Sequence, residues 1–127
     1  MNPRFDLFAH FCVAATLFLT VYGQLVLKWQ MSGAGALPDG GQARLVFLLT
    51  QLLNPWVMSG LLAAFVASIF WMAAMTRLEL GYAYPYMSLA FVLVMVFGVV
   101  FLGEAVTAGR AIGTLFVIAG LVLIARS

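Results

Sequence analysis

Tyr82, Tyr84 and Tyr86 crowd around Pro85, with Ser88 close behind, where a charged turn runs into a long apolar stretch. Proline removes a backbone donor and crowds the carbonyl four residues back. In hydrocarbon, the polar groups it frees must meet protein or a wet cavity. Tyr82 and Tyr86 share one helical face, and Tyr84 and Ser88 an adjacent one, so the set predicts a polar, aromatic-walled cleft. A second polar series, Thr16, Thr20, Gln24 and Lys28, recurs at a spacing of four near the N-terminus, on one slowly drifting face. Lys28 stands beside Trp29 near the end of its apolar run, where it can snorkel as an interfacial anchor or meet an anionic headgroup. Gln24 lies one turn deeper and must be hydrogen-bonded across helices or to a ligand. The chemistry on offer is recognition of a polar group, with Glu79 and Glu104 as possible entrance charges. Arg77 is placed to pair with Glu79, and Arg110 with Glu104. His10 stands alone in the sequence.

These residues need long helices to hold them. The chain has 127 residues, 65% of them hydrophobic and 8% charged, far from the roughly 25% charged usage of soluble domains. Four runs, residues 7–27, 57–75, 81–102 and 107–125, are long enough to cross a hydrocarbon core of about 30 Å. An all-α membrane protein follows, a single four-helix domain over residues 1–127. Between the first two spans, the Gly- and Pro-rich stretch from Ser32 to Gly41 is a loop. Residues 42–53 are too short to span and are expected to form an amphipathic helix in the interface, ended by Asn54-Pro55. The first run follows Arg4 but is too long for a signal peptide and lacks a small-residue cleavage site, so it is expected to remain as a helix. Arg4, Arg77 and Arg126 fall on one side of the membrane, and Lys28, Arg44 and Arg110 on the other. That balance gives no orientation by the positive-inside rule and leaves parallel and antiparallel pairing open.

Small residues mark expected packing faces. The second span carries Gly60, Ala64 and Ser68 at intervals of four, with Ala63 and Ala67 one step round. Gly109, Gly113 and Gly120 make the last span the expected dimer seam. Trp56 and Trp71 read as interfacial anchors, and Trp71 could instead wall a cavity. Cys12, the only cysteine, is expected to be a small core residue and excludes an intramolecular disulfide or a Cys-rich metal site. No catalytic triad, Walker loop or zinc spacing appears, so neither an enzyme, a cofactor nor a metal is expected. The dispersed basic residues give no nucleic-acid footprint. None of the spans carries a carboxylate near its centre, the natural proton carrier of an antiporter.

Two stretches resemble a known group. Gly23-Gln24-Leu25-Val26-Leu27-Lys28 is similar to the end of helix one, and Gly81-Tyr82-Ala83-Tyr84-Pro85-Tyr86-Met87-Ser88-Leu89 to the start of helix three, in the small multidrug resistance proteins and the wider drug/metabolite (EamA-like) transporter superfamily. The similarity is strongest to subunits of aminoarabinose-phosphoundecaprenol flippases and covers the chain except for residues 31–53. It implies a bacterial inner-membrane, multi-pass protein that works as a homodimer or as a heterodimer with a related small subunit. Drug exporters of the group carry a glutamate in helix one where this chain has Thr20. The resemblance therefore favours translocation of a polyprenyl-phosphate-linked sugar or similar anionic lipid, with Lys28 at the phosphate. Gln24, Tyr82, Tyr84, Tyr86 and Ser88 would line the headgroup path. Export of a small soluble or cationic solute, and a non-transporting subunit of a membrane glycosyltransferase or transporter complex, are the alternatives.

Overall fold

Asp6 starts the first helix: its carboxylate accepts the Ala9 N–H at 2.9 Å, satisfying one of the amides that a helix N-terminus leaves without a partner. The computed structural model describes residues 6–127, and Arg4 lies outside them. The helices are α1 (Leu7–Gly33), α2 (Gly41–Gln51), α3 (Pro55–Met75), α4 (Leu80–Ala83), α5 (Ser88–Leu102) and α6 (Ala108–Arg126), with a 3₁₀ turn over Tyr84–Met87 between α4 and α5. No strand occurs among the described residues. By length and composition four segments can cross a membrane: α1, α3, the composite Leu80–Leu102, and α6. The first runs past residue 27 to Gly33, carrying Lys28 and Trp29 inside the helix rather than at its end.

Local chemistry accounts for the breaks. Asn54 accepts the Trp56 N–H at 2.9 Å and Pro55 occupies the first turn of α3, where a missing N–H costs nothing. Pro85 cannot donate to Gly81, and the chain tightens into 3₁₀ geometry before α5 resumes at Ser88. Gly103, at φ 69°, ends α5 in the left-handed conformation, its amide donating to the Gly98 carbonyl. Thr107 caps α6 by accepting the Arg110 N–H at 3.2 Å.

Helix α1 packs mainly on α3 and, less extensively, on α5. The α1–α3 seam is built from small side chains. A Cβ on Gly23 would stand 2.9 Å from the Gly60 carbonyl oxygen, and one on Gly60 3.3 Å from that of Gly23. Further along, the buried Thr16 hydroxyl donates to the carbonyls of Cys12 at 2.7 Å and Ala67 at 3.2 Å. Ala9, Cys12, Val13, Ala74, Leu78 and Ala83 close the far end as a buried cluster. On α3 the buried face is Val57, Gly60, Ala63, Ala67 and Ala74, while Ala64 and Ser68 are exposed. The expected Gly60-Ala64-Ser68 row is therefore not the seam. The three-and-four spacing of Gly60, Ala63 and Ala67 follows the helical repeat more closely than a strict four, which drifts off the face. Thr16 likewise leaves the polar series, because its hydroxyl is used in packing.

The other two spans are loosely held. Only Gly98 of α5, and only Thr114 and Leu121 of α6, are buried. The exposed α2 contributes no buried residue.

Replacing Gly23 with alanine forces a methyl against a backbone oxygen that cannot swing away. Gly23→Ala is expected to lower stability by about 1–3 kcal/mol, read as a reduced unfolding midpoint in detergent. Gly113→Ala, where nothing lies within 4 Å of the added Cβ, is expected to leave the monomer's midpoint unchanged.

Candidate functional site

The start of α1, the end of α3 and the α4–3₁₀ segment meet at one end of the bundle. There His10 projects from α1 toward α4. Its Nδ1 lies 2.7 Å from the Asp6 carbonyl oxygen, and its Nε2 lies 3.1 Å from the Tyr82 hydroxyl. The Tyr82 and Tyr86 hydroxyls are 3.2 Å apart, one helical turn from each other, and both rings meet the imidazole edge-on at 5.9 and 6.2 Å. Beside them the Arg77 guanidinium contacts the Asp6 carboxylate at 3.3 Å and lies 4.5 Å from the centre of the Phe8 ring, a cation–π separation. Asp6 is only 5% exposed. Its carboxyl is held below the ordinary 3.8 chiefly by the Ala9 N–H; burial opposes the shift, and the Arg77 hydrogen bond and charge add to it.

Tyr84 does not join this pair. It is exposed, turned away from Tyr82 and Tyr86, and its ring meets Trp71 edge-on at 6.0 Å. Ser88 is half-buried at the first position of α5. Tyr84 stands two residues from each of Tyr82 and Tyr86, a spacing that puts it on a different face of the segment. Trp71 thus stands among the aromatic residues of this end.

Gln24 and Lys28 lie at the opposite end. Both are exposed, and Gln24 has no hydrogen-bond partner among the described residues. The neighbouring Trp29 meets Trp56 edge-on at 5.4 Å. Asn54, its oxygen fixed by the Trp56 amide, donates its NH₂ to Gln30 Oε1 at 2.8 Å. An apolar groove of about 310 Å³ opens here between Leu25, Val26 and Trp29 of α1 and Phe101 and Leu102 of α5. The site residues expected from the sequence therefore form two groups. Lys28 stands eighteen residues beyond His10, five helical turns, on the same face and about 27 Å away along the axis. Leu17 and Val21, on that face between them, are buried.

The entrance charges are placed differently from expectation. Arg77 pairs with Asp6 rather than Glu79, because the buried α1 N-cap sits closer to its guanidinium than a residue on the outer side of its own turn. Glu79 makes no ion pair among the described residues. Glu104 folds its carboxylate back over the bare Gly98 backbone, and Arg110 instead donates to the Ala105 carbonyl at 3.3 Å. Gly109 and Gly113 are exposed and Gly120 is half-buried; no atom lies within 4 Å of a Cβ at Gly113 or Gly120. Among the described residues no cluster of potential metal ligands occurs.

His10 is the residue whose part in the site is not read from the sequence. The signal lay in depth. His10 is in the first turn of α1 and Tyr82 in the first turn of α4, and two antiparallel crossings return the chain to the same membrane face.

Comparison with known proteins places the chain. Residues 1–126 match the EamA-like transporter family. The chain is 35% identical over 118 residues to a probable 4-amino-4-deoxy-L-arabinose-phosphoundecaprenol flippase subunit, ArnE, of Pseudomonas aeruginosa (strain UCBPP-PA14), covering 89% of this chain and 93% of that protein. Its identity to the ArnE counterpart of Pseudomonas paraeruginosa (strain DSM 24068 / PA7) is 33% over 117 residues, 88% of this chain and 92% of the relative. A probable ArnF subunit of the same type of flippase from Serratia proteamaculans (strain 568) is 28% identical over 113 residues, 87% of each chain. No solved structure matches the chain.

The Asp6 clamp gives a pH dependence with a definite sign. A carboxyl whose value is depressed on folding stabilises the fold above its ordinary 3.8, and that contribution is lost as pH falls through the lowered folded value. Thermal unfolding in detergent between pH 2 and 7 is expected to show this acid-side loss in the native chain. In Asp6→Asn the loss should be flattened and the neutral-pH midpoint lowered.

Proposed function

The chain belongs to the EamA-like transporter family, and from that membership we propose that it translocates a polyprenyl-phosphate-linked sugar, or a similar anionic lipid, across the bacterial inner membrane. The named relatives are flippase subunits aligned over nearly the full chain. The observation that carries the reading is the placement of polar groups on α1. His10 and Lys28 project from one face about 27 Å apart, close to the hydrocarbon thickness of about 30 Å, with Gln24 exposed between them and Leu17 and Val21 buried in the middle.

A lipid crossing a bilayer keeps its tail in hydrocarbon while its headgroup passes through an environment that would otherwise leave charge unsolvated. Lys28 supplies the cation for the phosphate at one membrane face. Gln24 offers an amide one turn deeper, and Tyr82, Tyr86 and Ser88 receive the headgroup at the other face, with Tyr84 and Trp71 as aromatic walls. The apolar groove beside Lys28 suits the tail. The buried Leu17 and Val21 interrupt the path, so passage requires α1 and α5 to part there. That is an alternating opening of the kind paired repeats permit.

A second copy or a related small subunit completes the path. Support comes from the shallow burial of α5 and α6, from the uncovered Gly113 and Gly120, and from relatives that are named as subunits. Gly109, Gly113 and Gly120 form the proposed seam, across which backbones approach closely. Proton-coupled drug export is the weaker reading, since half-buried Thr20 stands where the resemblance to drug exporters requires a carboxylate.

The test is transbilayer movement of a polyprenyl-phosphate sugar in proteoliposomes holding the chain alone or with a related small subunit. Movement is expected in at least one arrangement. Lys28→Ala should slow it about tenfold or more, the order of one lost charge-assisted contact, without changing assembly. Absence of movement in both arrangements, with folded protein, would reject the proposal.

A further inference from the structure

Trp29 lines two cavities of opposite character. One is the apolar groove of about 310 Å³ that it shares with Leu25, Val26, Phe101 and Leu102. The other is a polar pocket of about 250 Å³, where it is joined by Gln30, Gly33 and Ala34 at the end of α1, by Gln51 at the end of α2, and by Asn54 ahead of α3. No other residue lines both.

The polar pocket is lined by neutral hydrogen-bonding groups and by no charged side chain. Each of its three carboxamides carries an acceptor oxygen and two donor hydrogens, and the fold uses few of them. Asn54 Oδ1 accepts the Trp56 N–H, and the Asn54 NH₂ donates to Gln30 Oε1 at 2.8 Å. The Gln30 NH₂ and the whole Gln51 carboxamide make no hydrogen bond to other described residues. Helices α1 and α2 both finish at the pocket, and neither has a basic residue in its last turn. The pocket therefore receives the negative ends of two helix dipoles with no side-chain cation in its lining to offset them.

These groups select a ligand. An anion placed here would shed water and meet carbonyl ends instead of a cation. A hydroxyl both donates and accepts, as a carboxamide does, so a polyol exchanges its contacts with water for contacts of the same kind with Gln30, Gln51 and Asn54. At about 30 Å³ per water the pocket has room for about eight, the scale of one sugar ring and too little for two. The Trp29 indole offers an aromatic surface to the C–H face of such a ring.

We propose that this pocket is a glycosyl subsite: it holds one sugar ring without an acidic group, while the lipid tail lies in the groove that shares Trp29 and the phosphate lies at Lys28, the residue before Trp29 in the chain. Lys28 then supplies charge recognition, and the carboxamides supply recognition of the sugar. The inference rests on the lipid-translocation reading for the tail and the phosphate. A free sugar offers the same hydroxyl chemistry, so both sources enter the test.

The full chain in lipid nanodiscs is titrated with farnesyl phosphate, with its arabinosyl, glucosyl and glucuronosyl esters, and with methyl arabinoside and methyl glucoside in solution. The arabinosyl or the glucosyl ester is expected to bind about tenfold more tightly than farnesyl phosphate, the scale of one or two added hydrogen bonds. The glucuronosyl ester should bind no more tightly than farnesyl phosphate. Gln51→Ala removes no hydrogen bond of the fold and should cut the sugar's advantage to about threefold or less, with farnesyl phosphate binding unchanged. Gln30→Leu should do the same. A methyl glycoside that binds alone and depends on Gln51 would support the pocket with a free sugar as its ligand. Equal binding of farnesyl phosphate and both neutral esters by the native chain overturns the subsite even where lipid translocation is observed. A sugar advantage that survives both variants lies elsewhere on the molecule and overturns it as well. Sugar-dependent binding that needs Gln51, without translocation, supports the subsite and rejects the transport reading.

Discussion

The close approach of α1 and α3 is the contact on which the rest of the molecule depends. At Gly23 and Gly60 the two backbones come near enough that a side chain on Gly23 would strike a carbonyl oxygen and one on Gly60 would crowd one, and at Ala9 and Ala74 both residues are fully buried. Between them the Thr16 hydroxyl bonds a carbonyl of the opposite helix. In lipid, apolar surface gives no preference for helix over tail, so packing of small residues and interhelical hydrogen bonds must hold the pair together. Because the seam runs the length of α1, it sets the height of every group at both ends. Asp6 arrives beside Arg77 and His10 beside Tyr82 as a result.

The tyrosine end shows how the chain settles polar groups inside an apolar environment. Asp6 is held by a backbone amide and a guanidinium, the imidazole by a carbonyl and a phenol, and that phenol by a second one. No buried side-chain nitrogen or oxygen among the described residues lacks a partner. Tyr82 and Tyr86, four residues apart, meet through their hydroxyls on one face, and Tyr84, two residues from each, falls on the other side against Trp71.

The lysine end is unlike it. Gln24 and Lys28 are uncovered, and α5 and α6 bury little. An amide facing hydrocarbon without a partner is costly, and the reading proposed above gives this surface a headgroup or another subunit as its cover.

How much of this was written in the sequence follows from the range of each interaction. The membrane class, the all-helical architecture and the four crossings came from apolar run lengths, which a hydrocarbon slab reads directly. The distortion at Pro85 and the cap at Asn54-Pro55 were equally legible, since proline acts within one turn of itself. Family membership was carried by the Gly23–Lys28 and Gly81–Leu89 stretches. Tertiary structure decided what touches what. It put the seam on Gly60, Ala63 and Ala67 rather than Gly60, Ala64 and Ser68, gave Arg77 to Asp6 rather than Glu79, and took Thr16 into the packing. It also joined His10 to Tyr82 across 72 positions of chain, five helical turns along α1 from Lys28. Such pairings depend on the rotation and depth of helices against one another, and those are fixed by small-residue contacts that no single helix's periodicity encodes.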